Sequence, residues 1–317
     1  MNASQSQASP PKVSVIVPSH NGLPFLRVAV ASVIAQTYRH WNLLIADDGS
    51  GAETRAYLAK LETLPQVRVL RLAHAGNPAR ARNAALREAD GEFVAFLDSD
   101  DEWEPTKLSK QIDALRADRA SRWCYTAFLR IDARGSPLAA ERHRQWTPHA
   151  GDIFAALVTT AASIRTPSVL AERALIEEAG AFDESCLAAE DYDLWMRLAL
   201  RSTIALVDEP LVRVRVHALN HSNRQWPSAL ICRDRSLHKL QAVAPPRYRA
   251  LLQRARMQNS VQLARSYALH CDRRSALRTL YRSSAYSWRY PRWWWATCMA
   301  LVHANKPRAM TKMSAAR

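Results

Sequence analysis

Apolar positions in the first hundred residues follow two alternating rhythms. Val13-Ser-Val-Ile-Val17 is a short β-branched run closed by Pro18, the pattern of a buried strand. Leu23, Leu26, Val30, Val33 and Ile34 then recur at helical spacing within residues 23–37. Leu43 to Ala46 predicts a second strand; helix, strand and helix follow over 53–64, 67–72 and 79–89, with a fourth strand at Phe93 to Leu97. Strands alternating with helices of roughly ten to fifteen residues imply βαβ units and a mostly parallel sheet. Such sheets bind ligands outside the carboxyl ends of their strands. Three of these ends carry polar clusters, Ser19-His20-Asn21, Asp47-Asp48 and Asp98-Ser-Asp-Asp101, which are expected to meet along one edge.

Farther along, the pattern becomes mixed. Strands are predicted over 123–131, 163–170 and 211–216, and helices over 153–159, 172–179 and 190–201. After Arg224 the apolar spacing is helical throughout, as in Val261, Ala264, Tyr267 and Ala268, then Ala276, Leu277 and Leu280.

Charge divides the chain at the same place. Residues 1 to 222 carry 25 Lys and Arg against 27 Asp and Glu, whereas residues 223 to 317 carry 19 against 2. The balance of −2 in the first part leaves it without the cationic surface that nucleic acid requires. No window reaches the roughly 18 to 20 apolar residues of a membrane span. Residues 1–11 are polar and read as a disordered leader, not as a secretion signal, so a cytoplasmic protein is expected. The five cysteines form no C-x-x-C pair, and with 8 glycines the chain holds neither G-x-x-x-x-G-K-[ST] nor G-x-G-x-x-G. Zinc ribbons and glycine-loop phosphate cradles are thus set aside.

The chemistry concentrates in Phe93-Val-Ala-Phe-Leu-Asp-Ser-Asp-Asp-Glu-Trp103, where a buried strand runs into clustered acids. Carboxylates this close repel one another unless a cation lies between them. Asp98 and Asp100 alternate at a strand end and can face one hard ion such as Mg²⁺ or Mn²⁺. The competing reading is a solvated loop in which Asp101 or Glu102 caps a helix led in by Pro105. An EF-hand fails because Trp103 and Ser109 stand where Gly and Glu are required. Asp47-Asp48-Gly49-Ser50 reads as a turn, or as a place where Asp48 accepts the imide N–H of a uracil. Glu190 and Asp191 precede an apolar helical face at Leu194, Trp195 and Leu198, so they complement the helix dipole, or one of them serves as a general base. His217 follows the final strand and fits a metal ligand or a core histidine, and Arg82 fits a solvated helix face or a balance for the acidic edge.

Taken together, Val13-Ser-Val-Ile-Val-Pro-Ser-His-Asn21, Ala46-Asp-Asp-Gly-Ser50, Ala81-Arg-Asn83, Gly91 through Trp103, Gly180-Ala-Phe-Asp-Glu184 and Glu190-Asp-Tyr-Asp-Leu-Trp-Met-Arg197 resemble the family 2 glycosyltransferases of the GT-A fold. The resemblance implies a GT-A domain over 12–222, with a nucleotide-binding half at 12–103 and an acceptor half at 104–222, followed by a basic, Trp-rich helical appendage at 223–317. It implies a metal-dependent, inverting transfer from a nucleotide-sugar, UDP-linked by preference over GDP or dTDP, to a glycan or lipid-linked acceptor in cell-surface polysaccharide or lipopolysaccharide synthesis. On this resemblance Pro18, Asn21, Asp48, Arg82 and Asp98 lie around the nucleotide. Asp98, Asp100 and His217 would hold Mn²⁺ or Mg²⁺, and Asp191 would be the catalytic base. The Q-x-x-R-W segment and membrane spans of the processive synthases are missing, which favours adding one or a few sugars over polymerisation. His20 stands where the family often has an aromatic residue.

Five of the ten tryptophans fall in the basic appendage, including Trp293-Trp294-Trp295. Basic residues interleaved with aromatics suit the anionic inner face of a cell membrane, which would make the protein peripheral there. A helical hairpin with a solvated arginine face accounts for them equally well. Two other functions use part of this pattern: a sugar-phosphate nucleotidyltransferase also sets paired acids at a strand end, and a non-catalytic membrane- or glycan-binding module would need only the appendage.

Overall fold

The computed structural model describes residues 10–139, 141, 147–217, 227–269 and 272–302. It divides into two compact units, Met1–Gln225 and Trp226–Arg317.

The first unit begins as the apolar rhythm predicts, with β1 (Val13–Ser19), α1 (Leu23–Ile34), β2 (Trp41–Asp47), α2 (Ala52–Leu61), β3 (Val67–Arg71), α3 (Pro78–Arg87) and β4 (Phe93–Phe96). Val13, Val15, Ile16 and Val17 are all fully buried, as β-branched residues in a strand covered on both faces should be. Then come β5 (Glu102–Trp103), α4 (Lys107–Ala117), β6 (Ser121–Ile131), α5 (Phe154–Val158), β7 (Val169–Glu172), α6 (Arg173–Glu178), α7 (Glu190–Ala199) and β8 (Thr203–Arg215). All eight strands join one sheet in the order β3-β2-β1-β4-β7-β6-β8-β5. Pairing is parallel from β3 through β4 and between β6 and β8, and antiparallel where β7 meets β4 and β6 and where β5 meets β8.

Register brings the polar strand ends together. Ser19 of β1 lies opposite Asp47 of β2, and the N–H of Leu97, just past β4, donates to the Ile16 carbonyl of β1 at 3.0 Å. Chain order reverses at β1, with β2 on one side and β4 on the other, which opens a crevice at their carboxyl ends. Gly91 makes the approach of β4 to β1 possible: a Cβ there would stand 2.6 Å from the Ser14 nitrogen.

Three predicted elements differ. The strand expected over 163–170 starts only at Val169, because Pro167 cannot donate to a ladder and Thr166–Ser168 form a 3-10 turn instead. The strand expected over 211–216 begins at Thr203, the Asp208-Glu209-Pro210 break being absorbed as register shifts against Thr126 to Phe128. The helix after Pro105 has Thr106 at its N-cap, so neither Asp101 nor Glu102 caps it.

The second unit consists of α8 (Ser228–Val243), α9 (Arg249–Leu269), α10 (Arg273–Ser287) and α11 (Pro291–Val302). Met257, Ala264, Ala276, Leu280 and Trp293 form its core, and the Trp293 indole N–H donates to Ser283 Oγ at 2.8 Å. Arg274, Arg278, Tyr281, Arg282, Trp288 and Arg289 lie on the exposed side of α10 and its end, opposite buried Ala276, Leu280, Ser283 and Ser287. Among the described residues no helix is long and apolar enough to cross a membrane.

Candidate active site

The β1 and β2 ends are stitched to each other. Asn21 adopts a left-handed backbone at φ 57°, its N–H donates to Ser50 Oγ at 2.7 Å, and its Oδ1 accepts the Gly51 N–H at 2.9 Å. Asp47 is the turn residue of this segment, accepting the Ser50 N–H at 3.2 Å. Asp48 is different. It is 6% exposed, and its two carboxylate oxygens accept the N–H groups of Ala75 and Gly76 at 2.9 and 2.8 Å, which ties β2 to the loop after β3. His20 and His74 stack over its backbone with ring centroids 4.1 Å apart. Pro18 lies within β1 beside Ala46 of β2, directly before this cluster.

At the β4 end the acids are held apart by cations and amides. Asp98 Oδ1 accepts from Arg82 Nη2 at 2.6 Å, while Asp100 Oδ2 lies 2.9 Å from His217 Nε2. Asp98 and Asp100 thus turn to different partners. Among the described residues Asp98, Asp100 and His217 do not close into a three-ligand cluster, and the pair that touches is Asp100 with His217. Burial and then the neighbouring Asp98 charge push the Asp100 carboxyl up, with the His217 contact working against them. Asp101 is pushed well up by burial and by Asp100, and its Oδ1 accepts the Arg215 N–H at 2.7 Å. Arg215 braces the whole loop, donating to the Asp100 carbonyl at 3.0 Å and to Glu102 Oε1 at 2.9 Å.

Arg82 connects this loop to α7. It is 4% exposed, and its second bond runs from Nη1 to Glu190 Oε1 at 2.6 Å. A buried guanidinium between two carboxylates satisfies all three charges. Beside it, Asn83 donates to the Phe182 carbonyl at 2.9 Å and accepts the Phe182 N–H at 3.0 Å, fastening the Gly180 to Glu184 segment. The residue after Glu190 is Asp191, in the first turn of α7. Its Oδ2 accepts the Thr166 hydroxyl at 2.8 Å and its Oδ1 the Tyr192 N–H at 2.7 Å. Burial, followed by Glu190, raises its carboxyl above the ordinary aspartate range, and Thr166 and Arg82 partly offset them.

The structure therefore joins Asn21 to the Asp48 loop, Asp100 to His217, and Asp98 through Arg82 to Glu190 and the start of α7. Arg82 meets protein carboxylates on both arms, so its contacts are those of a positioning residue. Thr166, Arg215 and His74 complete these clusters without a motif to announce them, whereas Glu190, which opens a quoted motif, joins them through Arg82. The one available signal was an arginine at an inward position of the alternating strand that precedes His217.

Residues 14–168 match the family described as Glycosyl transferase family 2. A putative teichuronic acid biosynthesis glycosyltransferase, TuaG, of Bacillus subtilis is 39% identical over 129 residues, 40% of this chain and 51% of that protein. The UDP-Glc:alpha-D-GlcNAc-diphosphoundecaprenol beta-1,3-glucosyltransferase WfgD of Escherichia coli is 39% identical over 109 residues, 34% of this chain and 43% of that one. The matched segments thus span about half the length of these two relatives. Among solved structures, S. aureus TarS 1-349 in complex with UDP-GlcNAc aligns with TM-score 0.69 at 18% identity, over 92% of this chain and 89% of that one. The mannosyltransferase PcManGT of Pyrobaculum calidifontis, in complex with GDP-Man and Mn²⁺, aligns with TM-score 0.57 at 20% identity, over 93% and 86%. These likenesses carry the fold, a GT-A fold, and with the sequence matches they place this chain in glycosyl transferase family 2.

Proposed function

We propose that the protein is an inverting glycosyltransferase that moves a sugar from a nucleotide-sugar, UDP-linked by preference, to a hydroxyl of a glycan or lipid-linked acceptor in cell-surface polysaccharide or lipopolysaccharide synthesis. The observation that carries this is the Arg82 bridge, which holds Asp98 of the β4 acid loop and Glu190, the neighbour of Asp191, on one guanidinium. A metal-site acid loop and a carboxylate of raised affinity for protons are then anchored to the same group. Relatives named for teichuronic acid and for a diphosphoundecaprenol-linked acceptor support the pathway class, and a UDP-Glc enzyme and a UDP-GlcNAc complex support the donor class.

In this reading Asp191 takes the proton of the acceptor hydroxyl. The acceptor oxygen forms a bond to the anomeric carbon on one face, and the bond to the donor phosphate breaks on the other, its electron pair leaving with the nucleoside diphosphate. A base with raised pKa, held still by Thr166 at a helix N-terminus, suits that task. Asn21 and Asp48 shape the base and ribose side of the crevice, with Pro18 beneath them.

The donor set at the β4 end fits a divalent ion. Asp100 offers a part-buried carboxylate oxygen, and His217 adds an imidazole nitrogen 2.9 Å from it. Two protein ligands with the rest from diphosphate oxygens is a common arrangement for Mg²⁺ or Mn²⁺. The ion would neutralise charge on the departing diphosphate.

Delivery of a lipid-linked acceptor fits the second unit, whose exposed arginines and tryptophans suit the anionic inner face of the cell membrane. The direct test is release of nucleoside diphosphate from a panel of UDP-, GDP- and dTDP-sugars with and without Mn²⁺, with thermal stabilisation measured beside it. Pyrophosphate as the product, or stabilisation by every donor regardless of metal, would defeat the reading.

A further inference from the structure

The end of β2 holds a cluster of which the proposed transfer reaction uses Asp48 but neither histidine. His20 Nδ1 lies 2.8 Å from the Asp48 carbonyl oxygen, and His74 Nδ1 lies 2.9 Å from that same oxygen and 3.1 Å from Asp48 Oδ2. One ligand atom from each of the three side chains falls within 4.8 Å of the others. The arrangement is rigid on the His74 side, because a Cβ at Gly49 would stand 2.9 Å from His74 Cβ; the turn is closed onto the histidine. The rings are stacked at 25°, and both Nδ1 atoms lie against the one Asp48 carbonyl oxygen. Asp48 is buried while both histidines are exposed, so the cluster has an anionic floor and an open mouth.

We infer that His20, His74 and Asp48 form a second divalent-metal site, separate from Asp100 and His217, that selects a borderline ion such as Zn²⁺. Two imidazole nitrogens and a carboxylate are a zinc-type set, whereas Mg²⁺ seeks oxygen ligands and stays with the acids of β4. Loading the site needs no proton to leave. Each histidine moves its proton from Nδ1 to Nε2, and the Asn21 amide, now donating from Nδ2 to His20 Nε2 at 2.9 Å, turns to accept instead. That turn gives up the bond between Asn21 Oδ1 and the Gly51 N–H, which sets a local cost on occupancy. Since Asp48 is also the residue proposed to read the nucleobase, a bound ion and a nucleotide exclude each other; this part rests on the function proposed above.

Calorimetric titration of the full chain with ZnCl₂ in excess Mg²⁺ tests the site, using wild type, His20→Asn, His74→Asn, the double variant and Asp100→Asn. The expected result is one zinc equivalent in wild type and Asp100→Asn. Loss of either histidine should weaken binding by at least the roughly 10- to 100-fold that losing an outer-shell partner costs. Co²⁺ in place of zinc should give visible d–d bands that vanish in the double variant, with no sulfur charge-transfer band. Undiminished zinc affinity in a folded double variant, or loss confined to Asp100→Asn, would overturn the site. Zinc affinity unmoved by saturating UDP would overturn the exclusion and count against Asp48 as the base reader, with the metal site left standing.

Discussion

In the proposed mechanism Asp191 would acquire its task as general base from its surroundings. Burial and Glu190 raise its pKa, and the Thr166 hydroxyl lowers it by bonding the ionised form. A general base works deprotonated, so Thr166→Val should raise this pKa further and move the acid limb of the kcat–pH profile to higher pH, while Thr166→Ser restores it. Asp191→Asn should lower kcat by roughly 10² to 10⁴ while leaving donor binding, measured by calorimetry, nearly unchanged. Asp100 is shifted in the same direction, and there the shift bears on stability and metal binding. Its folded pKa lies above the unfolded value, so the folded state binds more protons across that window and stability falls as pH rises through it. Stabilisation by Mn²⁺, read as a thermal shift, should therefore grow with pH over the same window as the competing proton leaves. Lys107 is the reverse case, buried against Trp103 and Gln111 with its pKa pushed down by burial to about 7. From that value up to the unfolded lysine pKa the unfolded chain binds more protons, so stability rises with pH. Lys107→Met should raise stability near pH 7 and flatten this rise in urea melts.

At the scale of elements, α3 carries more than its apolar face suggests. Its periodicity was plain in the sequence, yet nothing in the spacing showed that Arg82 and Asn83 are buried or that they fasten α3 to α7 and to the 180–184 segment. Local patterning reports which face of an element is apolar; it does not report partners 99 and 108 residues away. The same limit explains β8, where Pro210 hid half a strand that a bulge accommodates, and Arg215, whose value lies in the loop it braces. The first four strands and three helices were legible because each is a local apolar pattern closed by a turn. The Arg82 link allows a sharp prediction. Arg82→Ala leaves buried Glu190 and half-buried Asp98 near each other with no cation, at a cost of about 3 kcal/mol in urea unfolding, the low end for a broken buried pair, and transfer should be lost with it. Adding Glu190→Gln to that variant should recover part of the stability, a coupling that independent sites would not show.

For the molecule as a whole, the division of charge is the feature that sequence made plainest and that the fold gives a shape. Positive charge is not spread over the second unit at random. On α10 it repeats as Arg274, Arg278 and Arg282 along the exposed side, with Tyr281 at 80% and Trp288 at 53% exposure among them, while the unit's core is filled from the opposite side. Trp294 and Trp295 add two more indoles at 53% and 55% exposure. Solvated arginines alone would account for solubility, but even with Arg289 over the Trp288 ring and Arg265 over the Trp295 ring they leave much aromatic surface in water. An anionic bilayer surface rewards both, each arginine by about 1 kcal/mol and the indoles by lying at the headgroup level. Binding to vesicles containing phosphatidylglycerol should accordingly weaken steeply as salt rises and be absent on purely zwitterionic vesicles. Arg274→Ala, Arg278→Ala and Arg282→Ala combined should cost about 3 kcal/mol of partitioning, a loss of roughly 10², with soluble-acceptor turnover as the control. Trp294→Ala with Trp295→Ala should weaken binding at every salt concentration, because the indole contribution is not screened. Equal binding to neutral vesicles, or partitioning indifferent to both sets of changes, would leave the arginine face with solvent as its only partner.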